Sequence, residues 1–531
     1  MRGFRDIMNK GTRLSGLMNK NMLILYLILL AALLVRLIGL GWYLPHTYEL
    51  DEYYTIEKTL DILRRGSLDI KSFMWPSLNF YLQAAGYRLY HLWRVLTESI
   101  QSLSLQSLSS LNKTEIFLVG RFTTVLYGLG TVILVYVIGQ RMYSRKVGLL
   151  SSLFLAFTLL HVRYSRLIRP DVPMTFFITL SFLCLYLIYE RGKIRDYLLA
   201  TIFAGFAIAT KYTGALLIVP IFLAHFFRGL KEKKSLFYIF LNKKVVLIVL
   251  LIAAGFFIAT PYGLLYYRYL FSTMRGMLRG LNRLTASNQG EISSWLYYIT
   301  GALNQGMGQP LEIFSLAAVI FAIFRHRKRD ILLISFPLTY YLIMGAFLRH
   351  FDRYILPVVP FLVIAAAMFL VEVASKISHL KARQNLAIIG LTLAVILFPA
   401  VRVIRYVNLM TQQGTGLQAK EWIEENIPRG KRVIYETYSP PLSGYVGRDM
   451  VKVGRYSLDY YRKEKVDYII INNFSSDRYL NTQLKRFEGI KRNYQEIEAR
   501  CELVKQFDPP PFSPANPNPV IKIYRIRYEK S

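Results

Sequence analysis

The sequence predicts a polytopic α-helical membrane protein with a small α/β unit at its C-terminal end. Three observations predict it. First, 53% of the 531 residues are hydrophobic, and they gather in repeated long runs; a helix needs about 20 such residues to cross a bilayer. Second, 66 Lys+Arg stand against 33 Asp+Glu, a net charge of +33, and much of that excess falls between alternate apolar runs. Cytoplasmic loops facing an anionic leaflet carry this pattern. Third, from about Met410 the long runs give way to short strand and helix patterns.

The charge balance alone would suit nucleic acid. No basic stripe occupies a soluble segment of its own, so nucleic acid is not an expected partner. Cys184 lies in an apolar run and Cys501 in a polar tail, which implies neither a disulfide framework nor a zinc site.

In chain order, Arg2, Arg5, Lys10, Arg13 and Lys20 precede the first run, Met22–Leu40. That run is too long for a signal-peptide core and lacks a small-residue cleavage site, so a retained span is expected. The mixed segment 41–115 follows. Within it Tyr53–Arg65 and Ser77–Trp93 are amphipathic and predict interfacial helices, while Ser99–Leu111 reads as a loop or weak helix. Further spans are expected at Ile116–Gly139, Val147–Val162, Val172–Tyr189, Tyr197–Thr210, Gly214–Phe227 and Val245–Thr260. A second loop covers 261–309, with Ser293–Asn304 as a re-entrant or interfacial helix. Leu311–Phe324, Ile331–Leu348, Tyr354–Ala374 and Leu386–Val407 complete about 11 spans. The C-terminal part, 410–531, contains a helix, a Pro/Gly stop and a strand in WIEENIPRGKRVIYET, a buried strand in VDYIIINN, and an alternating strand in PVIKIYRIRYE. The expected division is therefore a membrane domain, 1–409, and an α/β domain, 410–531.

Orientation follows from the basic connections. Those around Arg141, Arg191, Arg228–Lys244, Arg325 and Lys376, with the N-terminal segment, fall on one side, the cytoplasmic one. Loops 41–115 and 261–309 and the C-terminal domain then lie on the extracytoplasmic side.

Residues that break these rules are the functional candidates. YELDEYY puts Glu49, Asp51 and Glu52 at a membrane boundary in a chain poor in acids. They could simply start an interfacial helix, where acids favour the N-terminus; in a catalytic reading, Asp51, helped by Glu52, is the base. Arg163–Pro173 carries Arg163, Arg166, Arg169 and Asp171 on the side where basic residues are not expected. Asp171 would also serve as a helix N-cap before Pro173. Lys211 in ATKYTG and Arg349, His350, Arg353 and Tyr354 in RHFDRY lie on the same side. Each cation could snorkel to headgroups; converging, they suit a phosphate. Asp51, Glu52, Asp171 and His350 could offer ligands to a divalent cation, but no HExxH or Cys/His spacing supports a metal, and no cofactor is named by any motif.

The order of these motifs carries a resemblance. A DE pair after the first span, then GRFTTVLYGLGTVILVYVIGQRMYSRKVGLLSSLFLAF, YSRLIRPDVPMTFF, ATKYTG and RYILPVVPFL resembles the polyprenyl-phosphate-dependent C-type (GT-C) glycosyltransferases. Within them the chain is most similar to the protein O-mannosyltransferase and lipid A aminoarabinose transferase group. The resemblance covers roughly residues 20–375, and AKEWIEENIPRGKRVIY resembles the start of the domain that often follows. It implies inverting transfer of a sugar from a polyprenyl-phosphate donor, presented by membrane lipid, to a hydroxyl-bearing acceptor. It implies Asp51 as the acid that deprotonates the acceptor, with Glu52 beside it, and Asp171 near the acceptor or base. Arg166, Arg169, Lys211, Arg349 and Arg353 become the candidates to hold the lipid phosphate, with His350 and Tyr354 as further candidates. A WWDYG-type signature is missing, which speaks against transfer of a whole glycan to asparagine. The competing reading is a flippase for the same lipid-linked sugar, which would favour inverted repeats with broken helices; none is visible in the sequence.

Overall fold

In a computed structural model of the chain, the described residues are 22–47, 49–97, 112–283, 292–377, 380–439, 442, 445, 449–450 (backbone only), 453–511 and 517–528. The N-terminal basic segment, Tyr48, all of Ser99–Leu111 and residues 284–291 of the second loop lie outside them.

The described residues begin with α1 (Met22–Leu37). The first loop holds two amphipathic helices, α2 (Leu50–Arg65) and α3 (Leu78–Leu96), near the expected bounds. Helix α2 buries Glu52, Thr55, Ile56, Thr59, Ile62 and Leu63, a stripe at three- and four-residue spacing that faces one side. Helix α4 (Lys113–Met142) starts at a reciprocal cap: Asn112 accepts from the Glu115 amide at 2.9 Å, and Glu115 accepts from the Asn112 amide at 2.9 Å.

The expected straight span 147–162 is instead a bent pair, α5 (Arg145–Ala156) and α6 (Leu159–Ser165), at 63°. The break has a chemical counterpart. Buried Arg36 of α1 donates to the Ala32 carbonyl at 2.8 Å, contacts the Ala156 carbonyl at 3.5 Å, and meets His161 Nδ1 at 3.0 Å. A guanidinium inside an apolar layer needs such oxygens, and the bend supplies one.

Helices α7 (Asp171–Glu190) and α8 (Ile194–Thr210) form an antiparallel pair, so Asp171 and Lys211 meet at one end. Against α8 packs the helix Lys243–Ala259 through Gly205 and Gly255; a Cβ at Gly205 would lie 2.6 Å from the Ile252 carbonyl oxygen. Close backbone approach at small residues is how helices associate in lipid. The remaining long helices are Tyr212–Lys231, Tyr267–Leu281, Gln309–Arg325, Lys328–Gly345, Val359–Ile377 and Lys381–Leu409.

Six described helices are long and apolar enough to cross a membrane, or up to seven with the bent pair counted. That is fewer than the 11 expected. Met22–Leu37, α8 and Gln309–Arg325 are apolar but end at 16 or 17 residues. The segment Asp352–Ile377 is the most enclosed of the six, while Leu236–Ala259 and Lys381–Leu409 turn most of their surface outward.

The C-terminal residues fold around a five-stranded sheet of order β2-β1-β3-β5-β4. Its strands are β1 (Val433–Glu436), β2 (Asp449–Met450), β3 (Tyr468–Asn472), β4 (Glu502–Phe507) and β5 (Ile521–Arg525). β1 runs parallel to β2 and β3, whereas β5 is antiparallel to β3 and β4. The helix Thr415–Asn426 precedes it and rests on the first loop. There Gly416 is required: a Cβ would sit 1.7 Å from the Tyr43 hydroxyl. Trp42 Nε1 donates to the Gln412 carbonyl at 3.1 Å, and Trp42, Tyr43, Val403, Tyr406 and Met410 share one apolar cluster. The first loop is thus clamped from below by the membrane helices and from the side by the C-terminal unit.

Candidate active site

Glu52 organises the geometry. It is fully buried at the start of α2 and accepts four hydrogen bonds: Arg121 Nε at 3.0 Å, Arg121 Nη2 at 2.8 Å, Thr47 Oγ1 at 2.6 Å and the Ile168 amide at 3.0 Å. Arg121, on α4, also donates to the carbonyls of Leu40 at 2.8 Å and Trp42 at 3.0 Å. A bidentate Arg–carboxylate pair fixes direction as well as distance. Glu52 therefore joins the first loop, α4 and the connection before α7. Its carboxylate is saturated and enclosed, which suits positioning rather than proton transfer.

That anchoring delivers the next residue, Arg169, to the acids of the first loop. Arg169 is 3% exposed; its Nη1 donates to Glu49 Oε2 at 2.6 Å and its Nη2 to Asp51 Oδ2. Its Nε lies 3.7 Å from Asp171 Oδ2 and makes no hydrogen bond among the described residues. Burial pulls the Arg169 pKa down, but Glu49, Asp51 and Asp171 together outweigh it and hold the guanidinium above its ordinary range. Glu49, named in YELDEYY beside Asp51 and Glu52 but given no role, is thus part of the cluster. Arg121 is a residue the sequence reading missed, and Glu49 is one whose role it did not assign. The stripe Ile56, Thr59 and Leu63 on α2, extended back one turn, would have put Glu52 in the interior. No local signal reveals Glu49, because its partner lies 120 positions away.

Asp51 differs from Glu52 in one respect. Its side chain is 31% exposed, and Oδ1 has no partner among the described residues. Asp171 is 2% exposed and takes Lys211 Nζ at 2.6 Å. It is the first residue of α7, where Pro170 is the cap, and its side chain makes no cap bond. Lys211 ends α8 in an extended conformation, and its ammonium lies 4.8 Å from the Tyr354 ring centre. Glu49, Asp51, Arg169, Asp171 and Lys211 form one continuous charged chain.

RHFDRY reaches the same end through Asp352, which the sequence reading did not weigh. Asp352 accepts from Arg163 Nη1 at 3.1 Å, Tyr164 Oη at 2.6 Å and the Arg353 amide at 2.8 Å. The Arg169 guanidinium lies 5.8 Å from the Tyr164 ring centre, so Tyr164 links the two clusters. Arg349 and Arg353 flank Phe351, at 5.1 and 4.3 Å from its ring centre, and neither pairs with a carboxylate among the described residues.

Two candidates fall elsewhere. Arg166 donates to the Ile38 carbonyl at 2.7 Å and lies over the Tyr406 ring at 5.6 Å; its contacts hold it at the end of α1, not at the carboxylates. His350 Nδ1 meets Ser294 Oγ at 2.9 Å and its ring stacks on Tyr297 at 4.0 Å; burial lowers its pKa. Among the described residues no three His, Cys, Asp or Glu side chains gather as a metal-ligand set.

The fold, a helical membrane unit with a charged cluster at one end of its helices and a sheet unit beside it, is similar to that of two solved membrane proteins. The archaeal oligosaccharyltransferase AglB from Archaeoglobus fulgidus, solved with an inhibitory peptide and a dolichol-phosphate, superposes with a TM-score of 0.54 at 11% identity, over 89% of this chain and 71% of that one. ArnT from Cupriavidus metallidurans bound to undecaprenyl phosphate gives 0.52 at 11% identity, over 94% and 97%.

Residues 107–260 match the model of the family described as dolichyl-phosphate-mannose-protein mannosyltransferase. An uncharacterized protein of Aquifex aeolicus (strain VF5) is 27% identical over 282 residues; the alignment spans about half of each chain, 52% in both.

Proposed function

We propose that the protein is a membrane glycosyltransferase that moves a sugar from a polyprenyl-phosphate donor to a hydroxyl-bearing acceptor, with inversion, on the extracytoplasmic face. The observation that carries this is Asp51: a carboxylate with one open oxygen, held by a buried arginine, at the membrane end of a fold used with polyprenyl-phosphate carriers.

The chemistry is a single displacement. The acceptor O–H gives its proton to Asp51 Oδ1 as the acceptor oxygen bonds the anomeric carbon. The bond from that carbon to the phosphate oxygen breaks, and its electron pair leaves with the lipid phosphate. Attack opposite the leaving group inverts the centre. A hydroxyl is a weak nucleophile, so a positioned base lowers the barrier. Charge collects on the phosphate, so preorganised cations lower it further. Lys211, Arg349 and Arg353 are the groups that hold that phosphate: two arginines without carboxylate partners and a lysine beside Tyr354. Arg169 holds Asp51 in place, and Asp171 holds Lys211. Glu52 is assigned to positioning rather than to chemistry, and Arg166 and His350 to structure. No residue set argues for a particular sugar or acceptor, nor for a metal.

The test is transfer from radiolabelled polyprenyl-phosphate sugars in membranes. Wild-type transfer that collapses in Asp51→Asn supports the reading. Movement of the lipid across the bilayer without transfer would replace it with a flippase.

A further inference from the structure

At the opposite end of the same helices is a second charged site that the transfer chemistry does not use. Helix α7 has 20 residues, which separates its two ends by about 30 Å, close to the thickness of a bilayer's hydrocarbon core. Asp171 begins it; Glu190 ends it. Beside that end is a shallow, solvent-open hollow, with only about 10 Å³ of water-accessible space inside it, lined by Arg228, Lys234, Lys244, Glu232, Tyr197 and Tyr238.

Two of the three cations share one carboxylate. Arg228 Nε is 2.5 Å from Glu232 Oε1, and Lys234 Nζ is 2.7 Å from Glu232 Oε2. Lys244 reaches only the Gly192 carbonyl, at 3.1 Å, over the Tyr197 ring at 4.8 Å. The hollow thus carries a surplus of positive charge beside aromatic rings. Immediately next to it is the helix Leu236–Phe240, whose Leu236, Phe237, Tyr238 and Phe240 are exposed. Beyond that runs Lys243–Ala259, with Val246, Val249, Leu250 and Ile258 exposed. A short helix offering large apolar side chains outward, flanked by lysines, lies at a lipid–water boundary. An apolar wall for chains below a cationic rim for a headgroup is the complement of an anionic phospholipid.

We propose that the basic rim of this hollow binds the phosphate of an anionic phospholipid from the leaflet opposite the carboxylate cluster, with its acyl chains along Leu236–Ala259. Lys234 and Lys244 supply the charge, and Tyr238 covers the headgroup. Glu232 holds Arg228 and Lys234 in register before the lipid arrives. The site is independent of the transfer reaction proposed above and would stand if that reaction were disproved.

The test uses the full-length protein in detergent. Phosphatidylglycerol and phosphatidylcholine of the same chains are titrated in, and retained lipid is counted by native mass spectrometry. Wild-type protein should retain phosphatidylglycerol in clear preference to phosphatidylcholine. Lys234→Ala/Lys244→Ala should weaken that retention about 30-fold, and Lys234→Arg/Lys244→Arg should keep most of it. If the alanine pair unfolds, Lys234→Gln alone, at a partly exposed position, should still show a loss of about fivefold. Equal retention of the two lipids, or unchanged retention in the variants, overturns the proposal. Displacement of the lipid by equimolar glycerol 3-phosphate would make this a soluble-anion site and overturn it as well.

Discussion

Replacing Glu52 by Gln removes one charge from a pair that is almost wholly enclosed: the side chains of Glu52 and Arg121 are 0% and 4% exposed. The variant keeps the shape but takes the carboxylate from the Arg121 guanidinium, which also donates to the Leu40 and Trp42 carbonyls. It also weakens the acceptor for the Ile168 amide and the Thr47 hydroxyl. Breaking a buried ion pair from one side costs about 3–5 kcal/mol. Arg121→Gln should cost a similar amount, because it strands Glu52 instead. The double variant strands neither charge, so the two losses should not add; a coupling of about 2–3 kcal/mol is expected. The assay is unfolding of the purified protein in mixed micelles, run as a double-mutant cycle. Coupling below about 0.5 kcal/mol would refute the positioning role. So would a Glu52→Gln protein with wild-type stability and no transfer, which would return Glu52 to the chemistry.

Three further outcomes are expected. Burial holds the Glu436 carboxyl of β1 up at about 7, against bonds from Tyr494 and the Asn472 and Val453 amides that favour the ionised form. The folded form keeps its proton to higher pH than the unfolded chain, so this contribution is full below about pH 4.5 and is lost as pH rises through about 7, roughly 3 kcal/mol in all; amide exchange across β1 and β3 should quicken between pH 5 and 8, and Glu436→Gln should flatten that dependence. Gly416→Ala should destabilise the junction between the first loop and the C-terminal unit by about 1–3 kcal/mol, read as a lowered Tm, since the new methyl meets the Tyr43 hydroxyl at 1.7 Å; an unchanged Tm would show that the junction repacks freely. Arg349→Gln and Arg353→Gln should each weaken binding of polyprenyl phosphate about tenfold by titration calorimetry, whereas Arg166→Gln should leave it within about twofold. Equal losses at Arg166 would contradict the separation of these arginines.

Much of the helical layout was legible because long apolar runs admit few alternatives. The bounds of α4, α7 and the helix Lys381–Leu409 agree with the expected runs to within a few residues. The bend between α5 and α6 was not legible: it depends on Arg36 reaching across from α1, a contact 120 positions away in the chain. The number of helices that qualify as spans fell below expectation because several apolar helices stop at 16 or 17 residues and are flanked by short turns. In the charged cluster, motif order put Asp51, Asp171 and Lys211 together, and the structure joins them through Arg169. Sequence adjacency could not separate Asp51 from Glu52. Successive helical residues point about 100° apart, so one acid turns into the interior and the other outward. Arg166 and Arg169, grouped by their nearness in the chain, lie three residues apart in an irregular connection and turn to different partners.

The most direct test of the account is sugar transfer by Asp51→Asn in membranes supplied with a polyprenyl-phosphate sugar, measured beside unfolding of the same variant. Asp51 is partly exposed and shares Arg169 with Glu49, so Asn should leave stability within about 1 kcal/mol. Loss of a positioned base should lower kcat by about 10²–10⁴ with binding of the polyprenyl phosphate retained. Transfer at the wild-type rate by a folded Asp51→Asn protein would contradict it.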